Sequence, residues 1–164
     1  VNEGALLRRK SDLDGELNLV FDVWQGEPYV NAVTFEQVDV ATPHIAGYSR
    51  QGKERGSWMI YRAFCEHFDI PLQVSEEKVM SAGRLKKIEL DDSGDPHNVI
   101  ARACAAIYDV ARDDSRMRAA YKFALPTEPP FDRLRKTYVE RDEFSTCKID
   151  AGSMTPRLQA LGFL

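Results

Sequence analysis

Residues 17–24, LNLVFDVW, form an apolar run rich in valine, leucine and aromatic side chains, broken only by Asn18 and Asp22. Such a run predicts a strand buried on both faces of a parallel sheet. Asp22 is out of place in it and calls for a reason. QGEPYVN (25–31) follows, with Gly26 and Pro28 as turn residues, and VDVATPHI (38–45) returns as a second short strand ending at Pro43. Upstream, VNEGALLRRK (1–10) has the apolar spacing of a helix already under way at Val1, so the chain is expected to start in mid-protein. Helix, strand, loop and strand in that order predict an α/β layer.

From Ser49 the period changes. Trp58, Tyr61, Phe64, Cys65 and Phe68 recur at three and four residues, which predicts a helix of about five turns with one apolar face. Gly52 and Gly56 in its first half each cost roughly 1 kcal/mol against alanine, which suggests close backbone packing or a ligand there. Pro71 marks a boundary, dividing the chain into a first part over 1–70 and a second over 71–164. In the second part RLKKIELD (84–91) reads as a strand and PHNVIARACAAIYDVARDD (96–114) as a helix with Val99, Ile100, Ala103 and Ile107 on one face. DSRMRAAYKF (114–123) is a short helix, and LPTEPP (125–130) a connector. FDRLRKTYVERDEF (131–144) reads as a helix, STCKID (145–150) as a strand and TPRLQALGFL (155–164) as a last helix.

The net charge of −4, with both signs mixed along the chain, gives no field to gather nucleic acid or an anionic membrane, so neither partner is expected. The apolar runs are far shorter than the 18 or so residues of a spanning helix. Cys65, Cys104 and Cys147 stand apart without a C-x-x-C pair, so neither a zinc site nor a disulfide framework is expected, and a reducing, cytoplasmic setting fits. His67 and His97 have no metal-ligand pattern and read as helix-terminal polar residues. Trp58 and Tyr61 read as core. Arg50, Lys53 and Arg55 open the long helix either as a solvated basic face or as a phosphate contact.

His44 stands at the end of the second strand, and two carboxylates, Asp22 and Glu27, lie at the end of the first. Adjacent parallel strands bring their carboxyl ends to one sheet edge, where open α/β sheets bind ligands. Imidazole gives and takes a proton near neutrality, and a carboxylate in reach orients the ring and fixes its tautomer. Glu27, in the loop, is the better partner. Asp22, inside the strand, is held against a ligand or a backbone group. The plain alternatives are a solvated loop glutamate and a buried aspartate satisfied by backbone N–H groups.

FDVWQGEP (21–28) with ATPHIAGYSRQGKERG (41–56) resembles the end of the nucleotide-binding domain of D-isomer-specific 2-hydroxyacid dehydrogenases. HIAGYS and GKERG narrow the likeness to a branch acting on a phosphorylated substrate. YDVARDDSRMR (108–118) and FDRLRKTYVERDEF are similar to the dimerisation domain peculiar to that branch. The resemblance implies the C-terminal part of a Rossmann-type domain over 1–70 and a small α+β dimerisation domain over 71–164. It implies NAD as cofactor, a small phosphorylated hydroxy acid as substrate and a homodimer. Glu27 and His44 become the catalytic acid and histidine, Asp22 and Gly47 cofactor contacts, and Tyr48 a substrate contact. Arg133 and Arg135 either reach a neighbouring subunit's substrate phosphate or form a salt-bridged helix surface. The family's substrate-binding arginine, in an R-G-x-V-V-D stretch, and its G-x-G-x-x-G turn do not occur in these residues. The 164 residues alone are therefore expected to be a piece of a longer chain that neither binds NAD tightly nor turns over substrate. A stand-alone module without activity and a dehydrogenase of another 2-hydroxy acid are the alternatives.

Overall fold

The computed structural model describes residues 2–125 and 127–164 and is α/β, with two small parallel sheets. Val1 and Pro126, which belong to the expected first helix and to the expected connector, lie outside the described residues. Two compact units interleave along the chain: Val1–Ala46 with Asp109–Val139, and Gly47–Tyr108 with Glu140–Leu164. Residues 109–139 thus group with the beginning of the chain, and residues 140–164 with 47–108.

In the first unit, helix α1 (Glu3–Asp12) starts where the Asn2 side chain accepts the Ala5 N–H (3.0 Å). It ends in a reversal through Asp14 and Gly15, at φ 48° and 85°. Strand β1 (Val20–Phe21) pairs in parallel with β2 (Val40–Ala41), and α2 (Ala32–Gln37) lies between them in sequence. The sheet ladder is far shorter than the apolar run, because side chains take over its backbone groups. The Asp39 carboxylate accepts the Leu19 N–H (2.7 Å), and beyond Phe21 the chain turns to form the site below. Leu19, Phe21 and Trp24 point into a core shared with Val38, Met117 and Phe131. Val20 is 68% exposed, so β1 is covered on one face only, against the expectation of burial on both.

Helix α6 (Val110–Lys122) closes the outer edge of β2: Asp114 accepts the Ala41 N–H (2.8 Å) and Arg118 donates to the Val38 carbonyl (2.7 Å). The reading of 96–114 as one helix is corrected here. Tyr108 is extended at φ −147°, and Asp109 caps α6 by accepting the Ala111 N–H (3.1 Å). Helix α7 (Phe131–Lys136) is also shorter than its expected 14 residues, since the Thr137 hydroxyl turns back to the Arg133 carbonyl (2.8 Å) and ends it.

In the second unit, α3 (Arg50–His67) runs the expected five turns, capped by Ser49 accepting the Gly52 N–H (3.1 Å). A side chain at Gly52 would strike the Ser49 hydroxyl, whereas one at Gly56 would meet open space. Trp58 and Cys65 are buried, and Trp58 donates to the Val74 carbonyl (3.1 Å). Phe64 and Phe68, expected on the same apolar face, are exposed and pack on each other with ring centres 4.7 Å apart. The basic cluster is salt-bridged: Arg50 to Asp142, Lys53 to Glu140 and Arg55 to Glu76. After the short α4 (Glu76–Val79), β3 (Lys87–Glu89) pairs in parallel with β4 (Lys148–Asp150), placing Ile88 beside Ile149. Helices α5 (Pro96–Ile107) and α8 (Thr155–Ala160) cover them through Val99, Ala103 and Leu158. Leu164 bonds along β4 through Cys147 and Ile149 (both 3.0 Å).

A candidate active site at the ends of β1 and β2

The backbone alone brings the candidate residues together. Because β1 and β2 are parallel and in register at Phe21 and Ala41, the loops that leave them emerge at the same edge. The first loop turns at Gly26, whose φ of 82° suits a residue without Cβ, and presents Glu27. It is fixed from both sides. The buried Glu3 carboxylate of α1 accepts the Gln25 N–H, and the Trp24 indole donates to the Thr42 carbonyl (2.9 Å). The second loop presents His44 in a left-handed conformation, φ 55°. For a non-glycine residue that backbone costs roughly 1–2 kcal/mol, so the surrounding contacts must hold it.

Glu27 uses both its oxygens. Oε1 accepts the Trp24 N–H (2.8 Å), which folds the side chain back over its own turn, and Oε2 lies 2.8 Å from His44 Nδ1. The Glu27 side chain is 21% exposed and that of His44 is 44% exposed. A carboxylate can only accept from the ring, so Nδ1 carries a hydrogen, and whenever the ring is neutral Nε2 presents its lone pair. Among the described residues Nε2 has no hydrogen-bond partner. An imidazole held in this way can act as a base with its orienting group already in place.

Asp22 is half-buried and serves the second loop. Its Oδ1 accepts the Thr42 hydroxyl and the Ile45 N–H (both 2.7 Å), and its Oδ2 accepts the Ala46 N–H (3.0 Å). The reading of Asp22 as satisfied by backbone N–H groups is thus realised, with one acceptor position on Oδ2 left over. Gly47 and Tyr48 belong to the second unit. Gly47 is exposed, with nothing near the place of a Cβ, and the Tyr48 ring faces the Lys53 ammonium at 4.2 Å. Arg133 is exposed on α7 and forms no ion pair with a described residue.

Three contributors were not legible in the sequence: Trp24, Thr42 and Tyr121. Trp24 reads as one more aromatic of the apolar run, and nothing marks Thr42 as a partner of Asp22. Tyr121 lies on α6, about a hundred residues away in sequence, and reaches the loop through Phe35 (4.9 Å between rings) and the Pro28 carbonyl (3.4 Å). Burial, and then the negative charges of Asp132 and Glu27, push its phenol up to about 12. It keeps its proton and lends the site a neutral wall.

Among the described residues no group of three or more His, Cys, Asp or Glu side chains is arranged to hold a metal ion. The cysteines are free, with burial pushing the thiols of Cys104 and Cys147 up. No helix is long and apolar enough to cross a membrane.

A family model described as a domain of unknown function, DUF3410, matches residues 79–162. A protein named erythronate-4-phosphate dehydrogenase from Marinomonas sp. (strain MWYL1) is 46% identical over 154 residues, covering 93% of this chain and 40% of that protein. Proteins of the same name from Ectopseudomonas mendocina (strain ymp) and Tolumonas auensis (strain DSM 9187 / NBRC 110442 / TA 4) are 39% and 37% identical over 162 residues, covering 98% and 99% of this chain and 43% and 42% of theirs. The chain thus spans about two fifths of the length of these relatives. It belongs to the erythronate-4-phosphate dehydrogenase family, with a DUF3410 domain over its second half.

Proposed function

We propose that this chain carries the proton-transfer site of an NAD-dependent dehydrogenase that oxidises 4-phospho-D-erythronate at C2 to the 2-oxo acid, (R)-3-hydroxy-2-oxo-4-phosphooxybutanoate, a step in making pyridoxal 5'-phosphate in the cytoplasm. The observation that carries this reading is the 2.8 Å contact between Glu27 Oε2 and His44 Nδ1. His44 Nε2 accepts the proton of the C2 hydroxyl, and the imidazolium formed is stabilised by the Glu27 carboxylate. NAD, when bound, supplies the hydride acceptor. The spare acceptor position on Asp22 Oδ2 fits a cofactor donor group, and, by the family resemblance, Gly47 is assigned to the cofactor and Tyr48 to the substrate. A pyrophosphate cradle of the G-x-G-x-x-G kind is not supplied by these residues.

In this reading residues 1–70 end a Rossmann-type domain, and residues 71–164 make a homodimer. The sheet supports the first part. Val20 and Val23 expose apolar side chains, and a parallel pair of two-residue strands is too small to stand alone, so further strands and covering helices complete it in the longer protein. The test is His44→Asn in the complete gene product that carries this chain. NADH formation from 4-phospho-D-erythronate falls by about 10²- to 10⁴-fold, the usual contribution of a positioned acid–base. Activity within a few-fold of the unaltered protein overturns the reading.

A further inference from the structure

The geometry points to Asp22 as the positioning residue of His44, acting through the backbone of the loop rather than through the ring. This deepens the dehydrogenase reading and rests on it for its catalytic consequence, but its structural half stands alone. His44 has a left-handed backbone, and such a residue turns the N–H groups that follow it in a new direction. Both of the next two, Ile45 and Ala46, point at Asp22 and donate to different oxygens of its carboxylate (2.7 and 3.0 Å). Thr42, two residues before the histidine, donates its hydroxyl to the same group (2.7 Å). The carboxylate therefore grips the loop on either side of His44 and leaves the ring itself to Glu27.

An ionised carboxylate is suited to this task because both of its oxygens accept. Asparagine is isosteric and fails whichever way its amide is turned. With its NH₂ in place of Oδ2, it meets the Ala46 N–H donor to donor. With its NH₂ in place of Oδ1, the Thr42 hydroxyl can reverse and accept, but the Ile45 N–H cannot. One of the two backbone bonds to residue 22 is lost in either case, and with it part of the grip on the left-handed turn at His44.

The test compares Asp22→Asn with the unaltered sequence in the complete gene product, using the ¹⁵N chemical shifts of the His44 ring near neutral pH. The expected result is a shift from the Nδ1–H tautomer, fixed by Glu27, toward the Nε2–H tautomer of a free imidazole, together with displaced Ile45 and Ala46 amide signals. Thr42→Val, which removes one of the three bonds and keeps the carboxylate, moves the ring signals in the same direction by a smaller amount and serves if Asp22→Asn does not fold. Unchanged His44 ring shifts in the folded variants overturn the proposal. In the complete gene product, Asp22→Asn lowers kcat about 100-fold, as expected of a misplaced base, and by more than it raises the KM for NAD. A raised KM with kcat unchanged makes Asp22 a cofactor contact only and likewise overturns the positioning role. Should His44→Asn keep its activity, the dehydrogenase reading fails, while the ring tautomer still decides whether Asp22 holds the loop.

Discussion

Asp22 in the first unit and Asp142 in the second each gather donors from segments distant in sequence, but the company they keep differs. Asp142, with its side chain only 7% exposed, accepts from the guanidinium groups of Arg50 (2.8 Å) and Arg84 (3.0 Å), the Arg84 N–H (2.8 Å) and the Gln51 amide (3.2 Å). Among the described residues Asp22 accepts from neutral groups, two N–H and one hydroxyl. Burial pushes the Asp142 carboxyl up, yet the Arg84 N–H and guanidinium and the Gln51 amide outweigh it and hold the group at about 2. A carboxylate ringed by cations becomes a clamp. One that faces the N–H groups of a loop leaves charge to spare nearby, and the imidazole beside that loop stays available for chemistry.

The sharpest way to break this contrast is to remove each aspartate and measure urea unfolding of the chain. Asp142→Ala strands two guanidinium groups and a buried amide and is expected to cost about 3 kcal/mol, because losing one member of a buried pair leaves the others without compensation. An equal loss from Asp22→Ala would erase the distinction. A second measurement follows from the sign of the Asp142 shift. Its folded pKa is depressed, so its contribution is present above the unfolded value and disappears as the pH falls from about 4 to about 2, an effect on the order of 2 kcal/mol. Asp142→Asn should flatten the acid limb of the stability curve in that window, and an unaltered limb would contradict the clamp.

The smallest effects separate the two sheets. Ile149→Val, in the closed core of the second unit, is expected to cost about 1 kcal/mol. Val20→Ala, on the uncovered face of β1, is expected to change the stability of the isolated chain by less than about 0.5 kcal/mol. A larger loss at Val20 would mean that this face is already covered in the 164-residue protein.

What could be read in the sequence followed the local rules. The strand ends locate Glu27 and His44 at one edge because parallel pairing leaves no other place for them, and Ser49 and the 3.6-residue period delimit α3. What escaped depended on distant partners. The shortness of β1 comes from Asp39 capturing Leu19, and the break after Ile107 from Asp109 finding a cap, neither of which alters the apolar periodicity. Phe64 and Phe68 match the helical period but stay exposed, packed on each other. The role of Asp22 was least legible, since it depends on a backbone angle at residue 44 that side-chain patterns do not encode.

The way α6 closes β2 gives the first sheet a direction of growth. With the Ala41 N–H and the Val38 carbonyl already bonded to Asp114 and Arg118, the far side of β2 offers no template to an incoming strand. The backbone groups of Val20, which alternate away from β2, offer an edge along which the ladder can be extended. Any chain that joins this sheet, from the same polypeptide or as an unwanted neighbour during refolding, must do so beside β1. A single valine therefore stands at both the seam of assembly and an open apolar strand edge.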